Sequence, residues 1–377
     1  MFSAKMKRFA AVLVLAALVE LSYQAALGAE DCTITDFSQV QSATENCKDI
    51  VIEDLLVPGG QTLNLRLSPG TTIVVKGNIT FEYFEWDGPL VQINGTNFTI
   101  RGEPGHVWDG QGQSYWDGQG EWGSTKPLFF NIMADGVSLF DTFFVLNTPR
   151  HTLVLSDSDR VTFTNWLIDD SAGDESVAPP NKFGHNTDGF DLWNSTNIVL
   201  QDSTVRSQDD CVAIRCGSNY LVDNFFCHGG HGLSLSVGFS NDSIKLNTLT
   251  NVVIRNSVLE LGENAIHIKT HADGGEGLIN NVTYEDIQFT GLTKYGINIQ
   301  QNYRNLPANT PNDPTPKGNI PITNLHFLNV VGTVNDTAVP VYINCAEGAC
   351  SDWEFDDVSV AGLKENDCNF DPEGFQC

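Results

Sequence analysis

The stretch "NIVLQD" at 197–202 is followed, 22 residues on, by "NYLVDN" at 219–224. Each is a polar residue, a short alternation of apolar and polar positions, and a closing Asp or Asn that favours a turn. The pattern recurs as "NFTIRG" at 97, "GVSLFD" at 136, "RVTFTN" at 160, "NVVIRN" at 251, "NVTYED" at 281, "NLHFLN" at 324 and "DWEFDD" at 352. Successive starts lie 39, 24, 37, 22, 32, 30, 43 and 28 residues apart. The shortest steps give the unit, and the longer ones carry loop insertions. A strand-and-turn repeat of this length with no helical pattern predicts an all-β solenoid, a parallel β-helix in which stacking buries the apolar face that one coil cannot bury alone. A leucine-rich repeat lacks its L-x-x-L-x-L frame here; a sandwich or propeller stays open on pattern alone. No Pro- or Gly-rich linker divides the chain, which predicts a single domain over residues 30–377.

The repeat gives the charged motifs their meaning. Asp188 in "HNTDGFD", the adjacent pair Asp209 and Asp210 in "SQDDC", and His231 in "GGHGLS" are spaced by 22 and 21 residues, about one coil each. On a stack of strands roughly 4.8 Å apart, they form one column on one face. Three carboxylates so close cannot all ionise freely, so at least one must hold a proton at elevated pH while another stays a base. That is the division of labour that glycoside hydrolysis requires. Two alternatives stay open on spacing alone: a solvated turn, or a Ca²⁺ site built from Asp188, Asp209 and Asp210. Asp191, three residues further on, is left outside the column. The glycines flanking His231 admit close approach of a backbone or a ligand. "HIKTH" at 267–271 carries His267 and Lys269, and "KYGINIQQNY" places Tyr295 on a later coil.

Composition limits the partners. The formal net charge is −27 over 377 residues, which argues against a nucleic-acid partner; if the ligand is an anion, local cations must overcome the global field. Residues 1–29 resemble a secretion signal: Lys5, Lys7 and Arg8, then an apolar run from Phe9 to Val19 too short to span a bilayer, then small residues at "ALGA". A short anchor helix is the alternative, but no second apolar run follows, so no membrane association is expected. Nine cysteines in such a chain suggest disulfides, and the odd number leaves one thiol over. Sequons at Asn78, Asn94, Asn97, Asn194, Asn241, Asn281 and Asn335 fit a secreted glycoprotein of eukaryotic source.

Taken together and in this order, "NTDGFD", "QDDC", "GGHGLS" and "IK" resemble glycoside hydrolase family 28, the polygalacturonases. "CKDIVIEDLLVPGGQTLNL", "DGQGQSYWDGQGEWGSTKPLFF", "YGINIQQNY" and "VYINCAEGACSDWEFDDVSV" extend the likeness to fungal-type endopolygalacturonases over nearly the whole chain after residue 29. The resemblance implies a right-handed parallel β-helix of the pectin-lyase-like kind with an open cleft. It also implies a secreted, extracellular, monomeric enzyme that needs no metal or cofactor and hydrolyses α-1,4 bonds of pectic polysaccharide with inversion. By motif it gives Asp209 the role of general acid, and Asp188 and Asp210 that of holding and activating water. His231 would support the acid, while Asn186, Lys269 and Tyr295 would contact substrate. It further implies the pairs Cys32–Cys47, Cys211–Cys227, Cys345–Cys350 and Cys368–Cys377, with Cys216 unpaired.

Two points stand against a simple transfer. Adjacent rungs imply the short carboxyl separation of a retaining enzyme, whereas the family inverts. And the family's Arg-Ile-Lys is here His267-Ile268-Lys269. Histidine lacks the bidentate grip and permanent charge of arginine. This predicts weaker substrate grip and higher activity at acid pH, where His267 would be charged, with Arg215, two coils earlier, as either a compensating cation or a salt-bridged surface residue. The alternatives this leaves are an exo-acting or branched- or esterified-pectin hydrolase of the same family, or a pectin-binding relative of weakened activity.

Overall fold

The computed structural model describes residues 32–307 and 310–377, so the leader reading of residues 1–29 lies outside the described residues. All nine motif copies fall in one fifteen-stranded sheet, as consecutive hydrogen-bonded neighbours from Thr99–Gly102 to Cys350–Ala361, every pairing parallel. A second, eleven-stranded parallel sheet faces it. The chain alternates between the two sheets coil after coil, which is a parallel β-helix.

The motif's polar ends are its corners. Asn197 and Asp202 open and close one copy with φ of 56° and 52°, and Asn219 and Asn224 the next with 62° and 57°. Asn and Asp tolerate the left-handed region better than other side-chain-bearing residues. The opening asparagines also hydrogen-bond along the stack. The Nδ2 of Asn219 donates to Asn197, Asn251 to Asn219, Asn281 to Asn251 and Asn324 to Asn281, at 2.8–3.2 Å. The sequon residue Asn281 is therefore a rung of this ladder, and a glycan on its Nδ2 would replace one of that nitrogen's two hydrogens.

Alternate positions point inward and build a continuous core. Phe140 stacks on Phe163 at 4.7 Å, Phe143 on Trp166 at 4.2 Å and Phe327 on Phe355 at 4.4 Å. A short helix, Val40–Asn46, buries Val40 and Ala43 over the first coils. The disulfides are Cys32–Cys47, Cys211–Cys227, Cys345–Cys350 and Cys368–Cys377, and Cys216 is a buried free thiol.

Six strands of the eleven-stranded sheet position the site: β1 (Leu153–Ser156), β2 (Phe190–Trp193), β3 (Asp210–Ile214), β4 (Gly232–Val237), β5 (Asn264–His271) and β6 (Tyr295–Tyr303). They are neighbours in that order. All residues of β3, β4 and β5 are buried.

Candidate active site

The residues that enter these strands form a ladder of their own. The backbone N–H of Thr152 donates to Asp188 O at 2.7 Å, that of Gly189 to Asp210 O at 2.9 Å and that of His231 to Asp209 O at 2.9 Å. Glu263 N–H donates to Gly230 O at 2.7 Å and Lys294 N–H to Glu263 O at 2.9 Å. His151, Asp188, Asp209 with Asp210, His231, Glu263 and Lys294 thus sit on successive rungs. The 22- and 21-residue spacings placed Asp188, Asp209, Asp210 and His231 in one column, and they are in one. Gly230, at φ 63°, permits the close approach: a Cβ there would lie 2.1 Å from Asp209 O.

The column lines a cleft of about 810 Å³. One wall carries Gly118 to Trp122. It is pinned by buried Lys126, whose Nζ donates to Asp117 at 2.8 Å and to the carbonyls of Gly120 and Ser124 at 3.0 Å. Asn305 to Pro307 also line the cleft, and Asn305 Nδ2 donates to Glu121 Oε1 at 2.6 Å, joining the two segments.

Each carboxylate has its own partners. Asp209 Oδ1 pairs with His231 Nδ1 at 2.8 Å and accepts from Asp210 N–H at 2.7 Å; its Oδ2 accepts from Asn186 Nδ2 at 3.0 Å. Asp210 takes Lys269 Nζ at 2.8 Å and the Ser234 hydroxyl at 2.6 Å. Among the described residues, the Asp188 carboxylate has only His151 at 3.5 Å and Arg215 at 3.9 Å, because both hold Asp191 more closely, at 2.9 and 2.5 Å. A calcium ion on Asp188, Asp209 and Asp210 would have to displace cations already in place.

The proton distribution follows. Burial and the neighbouring Asp209 charge raise Asp188 well above the usual carboxylate range. Burial would raise Asp209 too, but His231 outweighs it and holds Asp209 far below that range. Burial opposes charge on His231 and His151, yet the facing aspartates raise both to about 9. A raised carboxylate pKa is present in the column. It belongs to Asp188, whereas Asp209's exchangeable proton sits on His231.

Three expected contacts are placed differently. Asn186 lines the cleft, but its amide is engaged on both sides: Oδ1 accepts from Glu121 N–H at 3.0 Å while Nδ2 holds Asp209. Tyr295 packs on Tyr342 at 5.3 Å and does not line the cleft. Tyr303, eight residues later, does line it, with Lys269 Nζ 5.1 Å from its ring. A register shift in the β5–β6 pairing sets Tyr303 opposite His271. His267 is 7 % exposed, under Gln300, whose Nε2 lies 2.9 Å from His267 Nε2. Burial, Lys269 and His231 push its pKa well below the usual histidine value, so His267 stays neutral and cannot be the acid-activated cation expected of it. Asp191 proves fully buried in this cluster, with Arg215 and His151. His151 immediately precedes the Thr152–Ser156 stretch as Asp188 precedes Gly189–Trp193, a signal legible only once the strands are aligned.

Comparison with known proteins agrees with this fold. Residues 47–377 match the family described as Glycosyl hydrolases family 28. A polygalacturonase of Phaedon cochleariae is 42% identical over 353 residues, covering 92% of this chain and 93% of that protein. Endopolygalacturonase A of Aspergillus niger is 39% identical over 352 residues, covering 92% and 90%. Among solved structures, endopolygalacturonase I from Stereum purpureum, complexed with two galacturonates, superposes with a TM-score of 0.77 at 30% identity, covering 90% of this chain and 96% of that one.

Proposed function

This chain belongs to glycosyl hydrolases family 28, and from that premise we propose that it is a secreted, monomeric endopolygalacturonase acting on pectic polysaccharide with inversion. The observation that carries the reading is the convergence of Asp188, Asp209, Asp210 and His231 in one cleft with Lys269. Four disulfides fit an oxidising compartment, and the leader-like residues 1–29 fit the same route.

The steps follow from the contacts. Asp209, reloaded from His231 Nδ1, gives a proton to the glycosidic oxygen as the bond from the anomeric carbon to that oxygen breaks. A water held between Asp188 and Asp210 attacks the anomeric carbon from the other face. Its proton passes to Asp188, whose raised proton affinity makes it the stronger base once ionised. Asp210 keeps its orientation through Lys269 and Ser234. Lys269 meets a galacturonate carboxylate, and Tyr303 takes the place expected of Tyr295 beside it.

Sizing the products of polygalacturonic acid digestion tests the reading. Mixed oligomers are expected; monomer alone means action from chain ends, and no cleavage means a binding protein. Proton NMR during digestion should show β-configured reducing ends first, and α ends first would replace inversion by retention.

The pH dependence has a definite sign. A base must be ionised, so kcat/KM should rise as pH climbs through the raised Asp188 value, above the ordinary carboxylate value of about 4. The acid's proton is lost as pH climbs through the His231 value of about 9, so the rate falls there. In His231→Asn the falling limb should move to lower pH; an unmoved limb would remove His231 from the proton path.

A further inference from the structure

We propose that Arg215 is a second carboxylate-binding residue of the cleft, taking the uronate carboxylate of a sugar unit other than the one held at Lys269. This rests on the hydrolase reading above and adds a subsite to it. Arg215 follows β3, and its N–H continues the ladder to Leu192 O at 2.9 Å. Ile214 pairs with Leu235, Leu235 with Ile268, and Ser236 with Lys269. Arg215, Ser236 and Lys269 therefore share one column, with Arg215 two rungs before Lys269. At about 4.8 Å per strand the Arg215 and Lys269 backbones lie roughly 10 Å apart, and the two tips turn to different carboxylates, Arg215 to Asp191 and Lys269 to Asp210.

The guanidinium is presented for recognition. It lies 5.0 Å from the Trp193 ring centroid and 4.7 Å from that of Phe239, two rings packed 5.0 Å apart. An aromatic floor of this kind orients the planar fork without using its donors. Nε and Nη2 go to Asp191, at 2.8 and 2.5 Å. Nη1 has no hydrogen bond or ion pair among the described residues, and Arg215 lines the cleft.

Nor is Arg215 the sole counter-ion its neighbours have. His151 Nδ1 already meets Asp191 at 2.9 Å, and its Nε2 lies 3.5 Å from Asp188. Lys294, another cation of the cleft, is tied to Glu263 at 2.7 Å, and His267 is neutral. In a chain of net charge −27, Arg215 joins Lys269, Lys294 and the protonated His151 and His231 as positive charge along the cleft.

The test compares Arg215→Gln with the parent chain on polygalacturonate and on a heavily methyl-esterified galacturonan, whose carboxyls carry no charge. The preference for the charged substrate, as a ratio of kcat/KM values, should fall about 10- to 100-fold, mainly through KM on polygalacturonate. An unchanged ratio, with equal losses on both substrates, would mean that Arg215 only holds Asp191 and Asp188, and overturns the proposal. Arg215→Lys keeps a cation against Asp191 but loses the fork; if the glutamine variant does not fold, it should show a smaller fall in the same ratio. Calorimetric binding of hexagalacturonate to Asp209→Asn, with and without Arg215→Gln, separates the two readings. A parent that releases no reducing ends refutes the hydrolase, whereas equal hexagalacturonate affinity with and without the arginine refutes the subsite.

Discussion

Asp209→Asn is expected to lower kcat by about 10²- to 10⁴-fold, the usual worth of a positioned general acid, with KM and the thermal unfolding midpoint little changed. Asparagine fills the same volume. It can still accept the Asp210 N–H at Oδ1, now 2.7 Å, but its Nδ2 cannot accept from Asn186 as Oδ2 does, and it has no exchangeable proton for the glycosidic oxygen. The charge left on His231 is not stranded, because Glu263 Oε2 lies 3.3 Å from its Nε2 and Lys294 holds Glu263 in turn. The Cys211–Cys227 bond, one residue beyond the Asp pair, ties this coil to the next whatever residue 209 is. Reducing-end release gives kcat, and a circular dichroism melt checks the fold. A loss under about tenfold would move the acid to another group, and Asp188, with its raised proton affinity, would be the first to examine.

What the sequence made legible was set by period. A coil length near 22 residues brings Asp188, Asp209 with Asp210, and His231 onto neighbouring rungs, and the corner asparagines mark where each coil turns. The same period cannot reveal a register shift. Tyr295 and Tyr303 bracket one strand; Tyr295 pairs with Asn264, five residues before Lys269, while the shift in the β5–β6 pairing just after Lys269 sets Tyr303 opposite His271. Nor does it rank competing partners. Asp191 was set aside because it falls three residues after Asp188, yet it takes the closer contacts of both His151 and Arg215. That competition leaves Asp188 the poorly compensated carboxylate. His267 shows the same limit. Alternation puts it on the same strand face as Lys269, but the Gln300 side chain on the next rung covers it, and burial then decides its charge.

Lys269→Met should cost about 3–5 kcal/mol of folding stability at pH 7, the range for breaking a buried ion pair from one side. Lys269 Nζ and Asp210 Oδ2 lie 2.8 Å apart with side chains 6% and 3% exposed, and Asp210 would keep only the Ser234 hydroxyl. Methionine preserves most of the stem's packing beside Tyr303, so the loss isolates the charge. Asp210→Asn in the Lys269→Met background removes the stranded charge and should recover most of the stability at pH 7 without recovering hydrolysis. Denaturant unfolding of the parent, both single variants and the double variant closes the cycle. A double variant no more stable than Lys269→Met would mean that Lys269 works by packing against Tyr303, and Asp210 would then need another source for its orientation beside the attacking water.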